Sequence, residues 1–219
     1  MFRELLRQKL IGVASLTTRE LDLLEQHYRL LVRWNRILNL TSIEDLDEVV
    51  ERHYCESVFL SVRLPHHPLR VADLGSGAGF PGFPLAVLRP DCSVALVEGH
   101  RRKSVFLREA TRQLPNVRVL SLRFEDLMEP PFDRAVCRAV SYQDLKPALK
   151  KLGYAADLLT GVEAPPADLG FVWDPAIRLP WGRNRFLRSG VPRETPEPVF
   201  HVKHDTVETP SEIGESSDT

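Results

Sequence analysis

The run Arg70 to Leu85, RVADLGSGAGFPGFPL, constrains this chain more than any other stretch: a short apolar segment ends at Asp73 and breaks into four glycines within eight residues. Gly75, Gly77, Gly79 and Gly82 remove Cβ atoms where a backbone must turn out of a strand and approach a second group closely. A parallel strand that feeds such a loop and then a helix aims unpaired amides and the positive helix end at an anionic ligand group. A tight turn with no ligand is the blander reading, but so dense a glycine run loses backbone entropy with nothing to offset it. Two cofactor classes fit the pattern. Gly77, Gly79 and Gly82 satisfy the G-x-G-x-x-G of dinucleotide sites, while Asp73, Gly75, Gly77 and Gly79 satisfy the D-x-G-x-G-x-G of S-adenosylmethionine sites. The spacing leaves both open.

Downstream of the glycines, strands and helices alternate. A helix is predicted over Pro81 to Leu88, with Pro81 suited to a first turn and Pro90 beyond the end. Ser93 to Val97 reads as a second strand ending in Glu98, an acidic residue about twenty positions after the glycines, where a ribose diol needs an acceptor. Arg101, Arg102 and Lys103 open a helix predicted to reach Leu114; cations there oppose the helix dipole, and they are either a solvated face or a contact for RNA phosphate. Val117 to Leu122, Phe132 to Arg138 and Tyr154 to Leu159 complete five strands, with a helix over Leu145 to Leu152. This order implies an α/β fold with a doubly wound parallel sheet and ligand sites at the carboxyl ends of its strands. Asp73, Glu98, Phe124, Glu125 and Arg138 all fall at such ends. Cys137 lacks a preceding proline and reads as an inward-facing strand residue, not a nucleophile.

The first seventy residues read as helical. Thr17 with Glu20 makes a capping box, followed by Leu21, Leu24, Tyr28 and Leu31 at helical spacing. Asp45 with Glu48 repeats the signal ahead of a second amphipathic helix through Val58, on which His53 reads as a satisfied core histidine. Between them, WNRILNLTSIED gathers Asn39 and Thr41, good capping residues that could equally meet a polar partner. The stripes need something to pack on, so residues 1–65 are predicted to cap a core domain over 66–190. Beyond Gly161 the order weakens; Phe171 to Trp173 and Asn184 to Arg188 are predicted as a closing hairpin, with Arg183, Arg185, Arg188 and Arg193 as a solvated basic patch. Residues 191–219, rich in Pro, Glu, Ser, Thr and Asp, read as a disordered tail.

A net charge of −1 advertises no nucleic-acid partner, so any such surface must be local. Three scattered cysteines with no C-x-x-C pair argue against disulfides and a metal site and suit a reducing cytoplasm. No run of eighteen apolar residues occurs, which predicts no membrane span.

Trp34-Asn35, Asn39-Leu40-Thr41, His53, DLGSGAGFPGFPL, FED at Phe124 to Asp126 and CRAV at Cys137 to Val140 together resemble the bacterial 16S rRNA guanine-N7 methyltransferase family (RsmG, also called glucose-inhibited division protein B, GidB). The resemblance covers roughly Thr17 to Gly161. It implies a class I (Rossmann-like) methyltransferase sheet with helices on both faces and an N-terminal helical cap, S-adenosyl-L-methionine as donor, and a guanine in the 530 loop of 16S rRNA, free or in the small ribosomal subunit, as acceptor. Carried over by position, it implies cofactor contacts at Gly75, Phe80, Phe124, Glu125 and Arg138, beside the Asp73, Gly77 and Glu98 already singled out. Asn39, Thr41, Arg101, Arg102 and Arg183 are the candidate RNA contacts. Thr160 departs from the family, which commonly carries lysine there. A nicotinamide-dependent oxidoreductase would use the same glycines; Tyr142 precedes Lys146 by four, but on the helix after the fourth strand and without the rest of that signature. A non-catalytic RNA-binding or ribosome-assembly protein with a relict methyltransferase fold is the third reading.

Overall fold

The computed structural model describes residues 1–128, 132–152 and 155–193. Within them, alternation of apolar residues along the strands builds one mixed sheet covered on both faces. Strands β1 (Arg70–Leu74), β2 (Ser93–Val97), β3 (Val117–Leu120), β4 (Arg134–Arg138) and β5 (Ala155–Thr160) pair in parallel in the order β3-β2-β1-β4-β5. The antiparallel β8 (Phe186–Pro192) follows β5 and is flanked by β6 (Phe171–Trp173) and β7 (Ile177–Arg178). Strand order reverses between β1 and β4, the point at which doubly wound sheets open a crevice for ligands.

The period of two divides the core. Val71, Val94, Leu96 and Val136 face one layer, while Ala72, Leu74, Ala95, Val97, Ala135 and Cys137 face the other. The first layer is completed by α1 (Phe2–Lys9), α2 (Thr18–Leu38), α3 (Leu46–Val49), α4 (Glu56–Ser61), α5 (Gly82–Leu88) and α6 (Arg101–Ala110), and the second by α7 (Tyr142–Leu152). Leu6, Leu10, Leu21, Leu24 and Leu31 of the N-terminal helices thus share one buried cluster with the sheet. Phe2 stacks on Tyr28 with ring centres 4.8 Å apart and meets Tyr54 edge-on at 4.9 Å.

The capping box closes as its spacing predicts, Thr17 N donating to Glu20 Oε2 (2.6 Å) and Glu20 N to Thr17 Oγ1 (3.3 Å). Asp45 Oδ1 likewise accepts Glu48 N. The helix after Asp45, however, passes through a π-helical segment, Val50–Cys55, between α3 and α4. Other boundaries move for local reasons. α5 starts at Gly82 with Pro81 as its cap. α6 stops at Ala110, four residues before Leu114, where Pro115 disfavours the helical conformation of its predecessor. β3 ends at Leu120 and the chain turns into a 3-10 segment, Phe124–Asp126. α7 begins at Tyr142, three residues before Leu145, because Ser141 caps it: Asp144 N donates to Ser141 Oγ. β5 runs through Thr160, and Tyr154 lies outside the described residues. β8 carries order through Pro192, so a tail beginning at Val191 is corrected; residues 194–219 of that expectation lie outside the described residues. No helix among the described residues is long and apolar enough to cross a membrane.

Candidate active site

The glycine loop sits at the reversal point. Gly75, Gly77 and Gly79 adopt φ of +71°, +57° and +90°, conformations that L side chains strain to reach. Gly75 N and Ser76 N both donate to Val97 O, tying the loop to the end of β2. Glu98 then braces it: Oε2 accepts from Gly77 N at 2.8 Å and Oε1 from His100 N at 2.7 Å. Each carboxylate oxygen accepts two hydrogen bonds, so Glu98 keeps one acceptor position on each. A Cβ on Gly75 would lie 3.0 Å from Val140 Cγ2 and 3.8 Å from Phe124 Cε1, so the loop abuts the segments that follow β4 and β3.

Asp73 closes the loop from beneath. It is fully buried, Oδ2 accepts Gly82 N at 3.0 Å, and Oδ1 has no partner. Burial pushes its carboxyl up to about 7. Since the folded value lies above the unfolded one, the folded state binds the extra proton between about pH 4 and 7, and stability from this group falls as pH rises through that window. At 1.36 kcal/mol per pKa unit the change reaches about 4 kcal/mol. Urea unfolding of wild type and Asp73→Asn at pH 5 and 8 checks this: wild type should lose more stability than Asp73→Asn, and parallel curves would contradict it.

Cap residues reach the loop through two histidines. His27 is buried among Phe80, Phe83, Phe106 and Tyr54; Nε2 donates to Ala78 O (3.0 Å) and Nδ1 accepts from Tyr54 Oη (2.8 Å). Burial lowers its pKa to about 3, so it is neutral. His53 stacks on Phe80 at 4.7 Å. Arg138, at the end of β4, donates from Nη1 to Arg52 O (2.5 Å) and His53 Nδ1 (2.6 Å), with its guanidinium 5.2 Å from the Phe80 ring centre. An arginine only donates, so His53 carries its proton on Nε2 and donates to Thr41 Oγ1 at 2.9 Å. Burial, then the Arg138 charge, lowers the His53 pKa to about 2, and burial lowers Arg138 to about 10. Arg52 lies within the π-helical segment, and its carbonyl accepts Arg138 Nη1.

Beyond Gly75 and Val140, the carboxyl ends of β4 and β5 open into a cavity of about 870 Å³ lined by Val140, Tyr142, Thr160, Glu163 and Arg185, among others. Arg185 grips Glu56, which is wholly buried, through two bonds of 2.8 Å. Tyr142 Oη donates to Glu163 O, and Lys146 pairs with Asp168. These two side chains therefore do not address one another as a hydride site would require.

Residues 20–154 match the family described as rRNA small subunit methyltransferase G. The chain belongs to this family. Ribosomal RNA small subunit methyltransferase G of Chromobacterium violaceum is 40% identical over 142 residues, 62% of this chain and 66% of that one. The proteins of the same name from Xanthomonas axonopodis pv. citri (43% over 118 residues) and Halorhodospira halophila (41% over 123 residues) are covered over 55% and 58% of their lengths. The matched stretch thus spans between about half and two thirds of these relatives. A SAM-dependent methyltransferase from Aquifex aeolicus superposes with a TM-score of 0.55 at 16% identity, over 69% of this chain and 96% of that one. The N-methyltransferase NodS from Bradyrhizobium japonicum gives 0.52 at 14% identity, over 66% and 96%. The fold is that of class I methyltransferases.

Seen within this family, Asp73, Gly75, Gly77, Glu98 and Phe124 come together around the loop. Phe80 is buried and its ring turns into the cap, leaving its backbone to border the loop. Glu125 is exposed beside Phe124 in the 3-10 segment. Among the candidate RNA residues, Thr41 is engaged internally, while Asn39 is the exposed left-handed cap of α2. Arg101 and Arg102 are exposed on the first turn of α6 and Arg183 between β7 and β8, on separate elements. Of the predicted basic patch, Arg185, Arg188 and Arg193 bind protein acceptors and are not simply solvated. Cys137 is buried and burial raises its thiol pKa, as an inward-facing strand cysteine requires. Neither Glu56 nor the π segment is singled out from the sequence; a carboxylate on an apolar helix face, with Arg52 one turn before it, is the signal Glu56 offers.

Proposed function

We propose that this protein transfers a methyl group from S-adenosylmethionine to N7 of a guanine in the 530 loop of 16S rRNA, with the free RNA or the small subunit as partner, in the cytoplasm. The observation that carries the reading is the glycine loop braced by Glu98 at the sheet's reversal point, beside Val140, which also lines the large cavity. The residues fit an adenosyl cofactor. Glu98 retains acceptor capacity for a diol, and Gly75 and Gly77, both left-handed and only partly buried, present backbone at the loop, while Gly79 turns inward against Phe83, His27 and Leu107. Phe124 borders the same loop end, with Glu125 next to it in the 3-10 segment as a further cofactor contact, and Arg138 is the positioning cation. When bound, S-adenosylmethionine supplies an electrophilic methyl on a sulfonium.

Guanine N7 presents a lone pair and carries no proton, so the chain needs no general base and contributes by orientation. That suits a site whose histidines are both buried and neutral. The helical segment 1–65 acts in this reading as a cap that holds residues 78–80 through His27 and His53, continuous with the 66–190 domain. The relatives' names, each a small-subunit rRNA methyltransferase, support the substrate class.

Gly77→Val tests it. The site has room for a Cβ, whose nearest neighbour is Gly75 O at 3.9 Å, but φ of +57° strains a β-branched residue by about 1–2 kcal/mol. Titration calorimetry should show S-adenosylmethionine binding weakened at least about tenfold with the melting temperature nearly kept. Normal affinity in this variant would place the cofactor elsewhere, and binding of NAD in its stead would remove the methyltransferase reading.

A further inference from the structure

We propose that Arg188 is a contact for a backbone phosphate of the RNA strand that delivers the acceptor base, an inference that rests on the rRNA methyltransferase reading above. The cations around the cavity differ in how they are held. Arg185 is neutralised by Glu56 and Lys146 by Asp168. Arg188, reaching across from β8, instead donates from Nε to Thr160 Oγ1 (3.0 Å) and from Nη2 to Val162 O (3.2 Å), and its guanidinium lies 5.4 Å from the Phe186 ring centre. Both acceptors line the cavity and both are uncharged. Arg188 makes no ion pair among the described residues, so its guanidinium is oriented at the rim while its charge stays uncompensated. Nη1 and the second hydrogen of Nη2 remain to donate. Such an end-on pair, fixed before binding, can meet two phosphate oxygens.

The anion it would meet is not the cofactor's. β8 lies three strand spacings from β1 along the sheet, about 14 Å from the strand that feeds the glycine loop. The two acceptors of Arg188, Thr160 and Val162, instead place the guanidinium beside the cavity at the ends of β4 and β5. Glu163 shares that rim and forms no ion pair among the described residues, so it sets the opposing charge an incoming strand must pass.

The alternative is a brace that merely ties β8 to the end of β5, and salt dependence separates the two. With the full chain and a 16S rRNA transcript, binding is measured by fluorescence anisotropy across a potassium chloride series for wild type, Arg188→Gln, Arg188→Lys and Glu163→Gln, with S-adenosylmethionine affinity measured in parallel. Arg188→Gln should weaken RNA binding roughly fivefold at low salt and reduce the slope of log K against log salt by about 0.7, the loss of one phosphate contact on a single strand. Arg188→Lys should keep the slope, Glu163→Gln should tighten binding, and cofactor affinity should not change in the Arg188 variants. An unchanged slope in Arg188→Gln, with only a lowered melting temperature, overturns the proposal and leaves a brace. Wild type that binds RNA but no S-adenosylmethionine would refute methyl transfer alone; wild type that binds no RNA would overturn both.

Discussion

Arg138→Lys should lower methyl transfer to small-subunit RNA about thirtyfold while the protein still folds. Nη1 of Arg138 uses both its hydrogens, on Arg52 O and on His53 Nδ1, and this holds the planar group against the Phe80 ring. Nη2 and Nε are thereby fixed as an edge that can meet a carboxylate or phosphate in parallel bonds. Lysine keeps a charge but has no plane, and once its ammonium serves Arg52 O and His53 no second oriented pair of donors remains. Loss of one charge-assisted bidentate contact costs on the order of 2 kcal/mol. The assay is transfer of labelled methyl to small-subunit RNA from a strain lacking the activity, followed by mapping of the modified base. Full activity in Arg138→Lys would reduce Arg138 to a structural strand-end charge, and label on a base other than guanine would remove the substrate assignment. His53→Phe offers a second check: it keeps the stack on Phe80 and deletes the acceptor, so an effect on rate smaller than that of Arg138→Lys is expected.

This network also marks where reading the sequence stops. The glycine loop, Glu98 and the parallel strands were legible because each is local: a strand pattern, a turn and a helix start lie within thirty residues, and spacing alone sets their relation. Asp73 and Glu98 could be placed at strand ends, but not their task. Both face inward to hold the loop's own amides, Gly82 N and Gly77 N, which depends on how the loop folds back on itself. Long-range pairings were out of reach. Arg138 meets His53 across 85 residues and Arg185 meets Glu56 across 129, and no periodicity links such positions. The π segment was hidden for a different reason: one turn of altered pitch leaves the apolar stripe of Leu46 to Val58 almost unchanged, while the Arg52 carbonyl and His53 Nδ1 within it meet Arg138 of β4. Thr41 shows the limit within one motif. Its capping character was legible, yet the partner that absorbs its hydroxyl, His53, lies on the next helix.

The largest effect on folding is expected at Gly82. A Cβ there would lie 2.4 Å from Leu96 Cδ2, 2.5 Å from Asp73 Oδ2 and 2.8 Å from Asp73 Cβ. Leu96 can rotate, but Asp73 Cβ belongs to β1, paired on both sides by β2 and β4, so that wall cannot retreat. Gly82→Ala must therefore displace the carboxylate that accepts Gly82 N, which orphans a buried amide and leaves Asp73 Oδ2 without that donor. Overpacking costs about 1–3 kcal/mol, and a buried unsatisfied donor about 1–3 kcal/mol more. Together, at about 2–6 kcal/mol, they reach the lower end of the stability of an ordinary domain, about 5–15 kcal/mol. Guanidinium unfolding should show Gly82→Ala with a midpoint far below wild type, and Gly82→Val should not accumulate as folded protein. Gly161→Ala serves as control, because its Cβ would meet nothing nearer than Asn184 O at 4.0 Å. The mechanism, and not just the loss, is tested by a double-mutant cycle: if the clash is with Asp73, then Gly82→Ala should cost less in an Asp73→Ala background than alone, a coupling on the order of 1 kcal/mol or more. Strict additivity would mean that the obstruction is Leu96, and that Asp73 is not what closes the loop onto its strand.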